Sequence, residues 1–207
     1  YRWAGLSPET GNPRGYYQGE ISENYNAISG SGSTVNELVY FGSAIPTWFG
    51  NLGNTITYRN FTLHATINFR LGYAFRRSSI MYYDLYDMGT NQHADFTLRW
   101  QQPGDEKHTV VPSMVYPANT RRDSFYGGSE ALVENGSHVR LQFVRLGYRL
   151  DKARIRRLPF ASMELSANAA NLGLLWRAND AGIDPDFATT AAIPVPRQYS
   201  LGINLAF

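Results

Sequence analysis

The stretch FTLHATINFRLGY (61–73) decides the fold class. Phe61, Leu63, Ala65, Ile67, Phe69, Leu71 and Tyr73 fall on one side of the alternation, and Thr62, His64, Thr66, Asn68, Arg70 and Gly72 on the other. Successive side chains of a β-strand point to opposite faces, so this pattern predicts a strand with one apolar and one polar face. Its length carries a second message. Strands of soluble sandwiches run about 5 to 6 residues, whereas a tilted membrane-spanning strand needs about 9 to 11, and the alternation here continues without a slip through 61–73.

The same period recurs on both sides of this stretch. The final residues set Tyr199, Leu201, Ile203, Leu205 and Phe207 against Gln198, Ser200, Gly202, Asn204 and Ala206. Residues 162–170 place Met163, Leu165, Ala167 and Ala169 opposite Glu164, Ser166, Asn168 and Ala170. Between them, Val139, Leu141 and Phe143 share one phase while Val144, Leu146, Tyr148 and Leu150 share the other, and a β-bulge near Val144 would reconcile the two. Strands are therefore expected at about 47–58, 61–73, 138–150, 162–175 and 197–207, and long loops at 1–46, 74–137 and 176–196. Tyr58-Arg59-Asn60-Phe61 reads as a tight turn, and the basic link carrying Arg154, Arg156 and Arg157 as a modest one. Short connections alternating with long ones match the short turns and long loops on the two rims of an outer-membrane barrel. The expected fold is all-β, an antiparallel part of a large transmembrane β-barrel.

Composition agrees with strands and narrows the rest. Of 207 residues, 43% are hydrophobic, 14% aromatic and only 17% charged. No apolar run approaches the roughly 18 to 20 residues of a spanning helix, and a mean hydropathy of -0.35 says nothing against a barrel, whose strands are apolar only at alternate positions. The chain has no cysteine, which removes disulfides and thiolate metal sites. A net charge of +2 with scattered basic residues gives no phosphate-tracking stripe, so nucleic acid is not an expected partner. The sequence opens on Tyr1 without an initiator Met or a leader, as a piece of a longer protein would.

Several strings carry a resemblance. YRWAGLSPETGNPRGYY (1–17) and FGSAIPTWFGNLGNTITYRNFTLHATINFRLGY (41–73) resemble the SusC/RagA family's Gly-Leu-Asp-Pro-Glu-Thr-Gly loop, its Gly-Ser-x-x-Pro strand start and its Tyr-x-x-Phe turn. RWQQPGDEKHTVVP (99–112), SFYGGSEALVENGSHVRLQFVRLGYRL (124–150), MELSANAANLGLLW (163–176) and PRQYSLGINLAF (196–207) resemble later segments of that family in order and with compatible spacing. Ser7, His138 and Ala170 depart from it, standing where Asp, Tyr and Gln are more usual. The resemblance implies a TonB-dependent importer of the bacterial outer membrane, roughly five times this length, whose barrel of about 22 strands this chain would close at its C-terminal end. It further implies import of glycans or oligopeptides, a SusD-like surface lipoprotein over the extracellular loops, a TonB complex engaging a missing N-terminal region, and outer-membrane lipid around the strands.

Candidate functional residues follow from placement. Tyr199, Leu201, Ile203, Leu205 and Phe207 form a terminal alternating strand ending in an aromatic, the form of a barrel-assembly signal. Trp100, Tyr116, Phe125, Tyr126, Trp176 and Phe187 lie on segments placed outside, where their rings could contact ligand or lid; loop packing or an interfacial girdle is the plainer reading of each. His64, His93, His108 and His138 show no metal-ligand spacing, and His93 with Asp95 is the nearest to a pair. DAGIDPD (180–186) offers carboxylates that could bind calcium, although a solvated turn is simpler. No nucleophile elbow or phosphate-cradling loop is present, so no enzyme activity, cofactor or metal is expected. Two other architectures compete: a soluble β-sandwich binding carbohydrate, with short strands and solubility without detergent, and a complete small barrel acting as an adhesin or enzyme, which needs at least eight strands and so more in 74–138, where Ile80–Leu85 and Phe96–Trp100 could extend strands above the membrane.

Overall fold

The computed structural model describes residues 1–30, 33–87, 89, 93–151, 159–188 and 193–207; the basic link of Arg154, Arg156 and Arg157 lies outside them. The chain forms two compact units, one from Tyr1–Phe41 and Phe75–Glu134, the other from Gly42–Ala74 and Asn135–Phe207.

The second unit is an antiparallel sheet. Its strands are β3 (Trp48–Tyr58), β4 (Phe61–Leu71), β7 (His138–Asp151), β8 (Ser162–Arg177) and β9 (Gln198–Ala206), arranged in the order β3-β4-β7-β8-β9. Each strand pairs with the next in the list, as in an up-and-down meander. A two-residue turn joins β3 to β4, with Arg59 in the left-handed region at φ 55, the backbone sign that lets so short a loop follow the strands' twist. β4 and β7 are 11 and 14 residues long. At about 3.3 Å per residue and a tilt near 45°, eleven residues rise about 25 Å, the height of a barrel's apolar band.

The phase change in β7 is a bulge, placed slightly before the expected position. Thr66 pairs with Phe143 and Ile67 with Leu141, so Gln142 is the inserted residue. On the other side Leu141 faces Gly173 and Phe143 faces Ala170, which leaves Asn171 and Leu172 opposite Gln142. Asn171 takes a left-handed backbone at φ 56, and the Gln142 amide donates to its side-chain oxygen at 2.9 Å. The insertion puts Val139 and Leu141 on the same face as Val144, Leu146 and Tyr148, and turns Phe143 to the polar face, where its ring lies 6.0 Å from that of His64.

Among the described residues the first unit holds two short strands, β1 (Gly15–Tyr17) and β2 (Glu20–Ser22), and three α-helices, α1 (Tyr25–Ile28), α2 (Tyr82–Asp87) and α3 (Thr120–Gly127). The short strands β5 (Ala74–Arg76) and β6 (Val133–Asn135) lie where the chain passes from one unit to the other. Segments 1–46 and 74–137, expected as loops, thus contribute a packed body. One core gathers Tyr25, Ile28 and Phe125, and a second Ile80, Tyr82 and Val111. Ile80–Leu85 and Phe96–Trp100 do not extend strands: α2 and a 3-10 turn at Ala94–Leu98 occupy them. Tyr82 and Tyr86, one turn apart, stack at 6.2 Å, a contact that a helical turn permits and a strand does not, and the Tyr82 hydroxyl donates to the Pro112 carbonyl at 2.7 Å. Among the described residues no helix is long and apolar enough to cross a membrane, which leaves strands as the elements to consider.

Deleting Gln142 removes the insertion that keeps β7 in phase. The expected result is loss of the protease-resistant folded chain, with Val139 and Leu141 driven to the polar face, whereas Gln142→Ala retains it; limited proteolysis of the two variants separates these outcomes.

Candidate functional site

The sheet carries its chemistry as two opposed faces. Register aligns Tyr58, Phe61, Tyr148, Leu165 and Ile203 in one row across all five strands, and Ile56, Leu63, Leu146, Ala167 and Leu201 in the next. These rows are exposed: Ile56 is 60% and Leu201 88% accessible. Where β3 carries Gly50 on this face, the Phe69 ring lies over it, and a Cβ there would sit 2.8 Å from the ring. An apolar surface that spans five strands is far more than scattered exposed side chains, and such a patch marks a surface meant for another apolar phase.

The reverse face is polar. Thr57, Thr62, Gly147, Ser166 and Gly202 form one row, and Thr55, His64, Arg145, Asn168 and Ser200 another. Neighbours on it satisfy one another: the Thr55 hydroxyl lies 2.8 Å from His64 Nδ1, Thr66 3.1 Å from its Nε2, and Asn168 donates to Ser200 at 3.2 Å. Arg145 reaches Glu164 at 2.7 Å across Gly147, whose missing side chain leaves the space; a Cβ there would meet the Glu164 carboxylate at 3.3 Å.

At the end of this face where β7 begins, two arginines and a histidine converge on two carboxylates. Arg140 donates through Nη2 to both oxygens of Asp184, at 2.6 and 2.7 Å, and through Nε to Asp186 at 3.1 Å. Arg70 of β4 meets Asp186 at 2.5 Å. His138 is buried with both ring nitrogens facing oxygen: Nδ1 donates to the Gly136 carbonyl at 2.8 Å, and Nε2 lies 3.4 Å from Asp186. The loop that presents these carboxylates closes on itself, since Asn179 exchanges two 3.0 Å hydrogen bonds with the backbone of Ile183 and Asp184 caps the 3-10 turn Pro185–Phe187. The hydrogen bond from His138, with Arg70 and Arg140 behind it, holds the Asp186 carboxyl below its ordinary range against the opposing effect of burial. The DAGIDPD segment is thus neither a calcium loop nor a free turn, because two of its carboxylates are neutralised by arginine. Among the described residues no cluster of His, Asp and Glu is arranged to hold a metal.

The expected site residues fall into three environments. Tyr199, Leu201, Ile203 and Leu205 lie on the exposed apolar face of β9, and Phe207 follows it with its ring 5.3 Å from Phe160. Trp176 belongs to the end of β8 rather than to a loop, opposite Val139 on the apolar face. Phe187 sits beneath Arg140, whose guanidinium is 5.7 Å from its ring centre. Tyr116 is 78% exposed, edge-on to Tyr86. Trp100, Phe125 and Tyr126 are buried in the first unit, so their rings already have neighbours. Phe125 packs with Tyr1, Trp3 and Tyr25, and the Tyr126 hydroxyl shares a 2.8 Å hydrogen bond with Ser79, which donates to Asp95 at 2.6 Å. Trp100 lies against Gly11, whose φ of +68 and lack of a Cβ leave room for the indole. The His93–Asp95 pair is a cap, His93 Nδ1 accepting from the Asp95 amide at 3.1 Å.

Two of the sequence strings therefore meet in space. GLSPETGN (5–12) turns tightly, with Gly11 donating to the Ser7 carbonyl at 2.8 Å and Thr10 to the Ser7 hydroxyl at 3.3 Å, so Ser7 does the local work of an aspartate side chain at that position. Ser113 donates to the Gly11 carbonyl at 3.0 Å and Arg122 to Asn12 at 3.0 Å, joining this turn to α3.

Comparison with known proteins was made on this geometry. Structures of the RagAB peptide importer in its open-open and closed-closed states match with TM-scores of 0.69 and 0.68 at 20% identity, and a structure of the RagAB peptide transporter with 0.69 at 21%. Each match covers 100% of this chain and 22% of the other. The chain shares its fold with a segment of the RagAB importer. No protein-family model and no curated protein matches it. The RagAB likeness takes in both units, while the chain spans about a fifth of that protein's chain (22%).

The carboxylate cluster predicts a pH response. The folded pKa of Asp186 is depressed, so its contribution is present above the unfolded carboxylate value of about 3.9 and is lost as pH falls through the lower folded value. His138, Arg70, Arg140 and Asp184 are the charged groups facing it. Hydrogen-exchange protection at Asn179–Phe187, taken relative to the intrinsic rate at each pH, is expected to fall on acidification below about pH 4, and Asp186→Asn to show lowered protection already at neutral pH with little further change.

Proposed function

We propose that this chain is the C-terminal portion of the β-barrel of a TonB-dependent outer-membrane importer of the SusC/RagA type. The observation that carries the reading is the exposed apolar face, aligned row by row over five strands of barrel-spanning length and backed by a polar face. In lipid that apolar face is solvated by acyl chains, and the polar face with Arg145, Glu164 and His64 lines an aqueous interior. A soluble sandwich would need a second sheet over the apolar rows, and their exposure weighs against it. Unpaired backbone groups on the sheet edges β3 and β9 would cost several kcal/mol each in lipid, so in the membrane both edges join further strands of the same barrel.

The likeness to the RagAB peptide importer supports nutrient uptake as the activity and a SusD-like surface lipoprotein as the partner, with oligopeptides or glycans as cargo. Energy coupling through TonB would belong to parts of the protein outside this chain. The work of the chain is to wall and gate a passage, without catalysis or cofactor. Phe207, with Tyr199, Leu201, Ile203 and Leu205, is assigned to recognition by the barrel-assembly machinery.

Leu201 and Phe207 give a direct test in the full-length protein. Leu201→Arg places a charge on the lipid face at a cost of about 2–4 kcal/mol near the bilayer midplane, and it should lower the outer-membrane level, as should deletion of Phe207; Ser200→Arg on the opposite face should be tolerated. Mass spectrometry of the detergent extract should find a co-purifying lipoprotein. A protein that fractionates as soluble, indifferent to Leu201→Arg, would contradict the proposal.

A further inference from the structure

The loop Asn179–Phe187 is fastened in an unusual way. Its only deeply buried side chain is that of Asn179, which bonds within the loop, and among its described residues no apolar side chain is fully buried. What ties it to the strands is charge: Arg140 on Asp184 and Asp186, and Arg70 and His138 on Asp186. Arg70 is half exposed and both carboxylates are partly so, which means solvent and solutes reach the contact. The half-exposed Arg70 pair contributes little net free energy against water and salt, while Arg140 and His138, shielded at 11% and 2% side-chain exposure, hold the carboxylates by charge where apolar burial is lacking.

The receiving side, by contrast, is rigid. Arg140 and His138 belong to β7 and Arg70 to β4, paired strands in which Asn68 opposes Arg140 and Arg70 opposes His138. His138 is locked by Gly136 on one nitrogen. Arg140 seats one carboxylate by a single nitrogen, Nη2, on both its oxygens, and its Nε joins Arg70 and His138 in a second seat beside it. Two carboxylate seats on fixed strands, filled by a loosely held loop, have the form of a binding site occupied by an internal ligand.

We propose that Arg70, His138 and Arg140 form a binding site for acidic peptide segments, and that the loop's own Asp184-Pro185-Asp186-Phe187 occupies it as a displaceable strap. An incoming peptide with two carboxylates at similar spacing exchanges with the loop one ion pair for another, so release needs no net loss of charge pairing. Phe187, which lies by the Arg140 guanidinium, adds a preference for an aromatic residue next to the acids. The inference deepens the importer reading by naming the chemistry of a ligand, but the site itself stands on the polar-face geometry.

The test is a binding measurement on the detergent-solubilised full-length protein with the probe acetyl-Ile-Asp-Pro-Asp-Phe-amide, so failure of transport does not touch it. The variant D184N/D186N empties both seats and should bind the probe at least tenfold more tightly than the unmodified protein. Adding Arg140→Gln to that variant should abolish the gain, and a probe with both acids replaced by asparagine should bind neither. Circular dichroism and protease resistance equal to the unmodified protein establish that each variant is folded. Equal, weak binding of the acidic probe by D184N/D186N and the unmodified protein would overturn the proposal and leave the ion pairs a fixed clamp. Binding that survives Arg140→Gln would overturn it as well.

Discussion

Water is a poor solvent for one face of this sheet, and that constraint governs most of what the second unit does. An apolar face several rows deep, carried by β3, β4, β7, β8 and β9, loses free energy in proportion to the area left in water. Everything that keeps apolar side chains in common rows serves this face. The insertion at Gln142 corrects the phase of β7, the left-handed Asn171 accommodates it in β8, and Phe69 covers the gap at Gly50. A sheet engineered to keep such a face continuous makes physical sense when the surrounding phase is apolar.

The opposite face is built by another logic. Its small residues, Gly147, Ser166 and Gly202 among them, keep it low enough for longer groups to meet across it, as Arg145 and Glu164 do. Arg145 and Glu164 pair on it, and the cluster at its end holds a loop through ion pairs. In the first unit, apolar cores around Phe125 and around Tyr82 fix tight turns, and polar bonds such as those of Arg122 to Ser113 and Asn12 settle their geometry. The strings there that resemble the SusC/RagA pattern act in packing: Gly11, without a Cβ, leaves room for Trp100.

The parts legible in the sequence were those whose information is local and periodic. The alternation through 61–73 locates β4, and Tyr58-Arg59-Asn60-Phe61 locates its turn, because each signal is contained within a few residues. The bulge was placed late because an aromatic, Phe143, stands on the polar face just after the inserted residue and continues the apolar count by one step. α2 spans six residues, too few for a 3.6-residue period to show. α3 carries a readable sign in its caps: the Asn119 side-chain oxygen accepts from the Arg121 and Arg122 amides, and Gly128 ends the helix. The carboxylate cluster was invisible, since Asp186 lies 46 residues from Arg140 and 116 from Arg70, and only the pairing of β4 with β7 brings the two arginines together. Trp100, Phe125 and Tyr126 looked available to a ligand for the same reason: their neighbours come from distant segments.

The central claim is that the two faces of one strand meet different solvents, and β4 allows it to be read residue by residue. Because this chain has no cysteine, single cysteines at positions 62 to 67 can be introduced one at a time into the full-length protein, cleared of any others, in native membranes. A lipid-confined reagent should label positions 63, 65 and 67, and a membrane-impermeant thiol reagent positions 62, 64 and 66. Labelling of 63, 65 and 67 by the aqueous reagent to the same extent as their neighbours would contradict the account, whatever the chain's fold resembles.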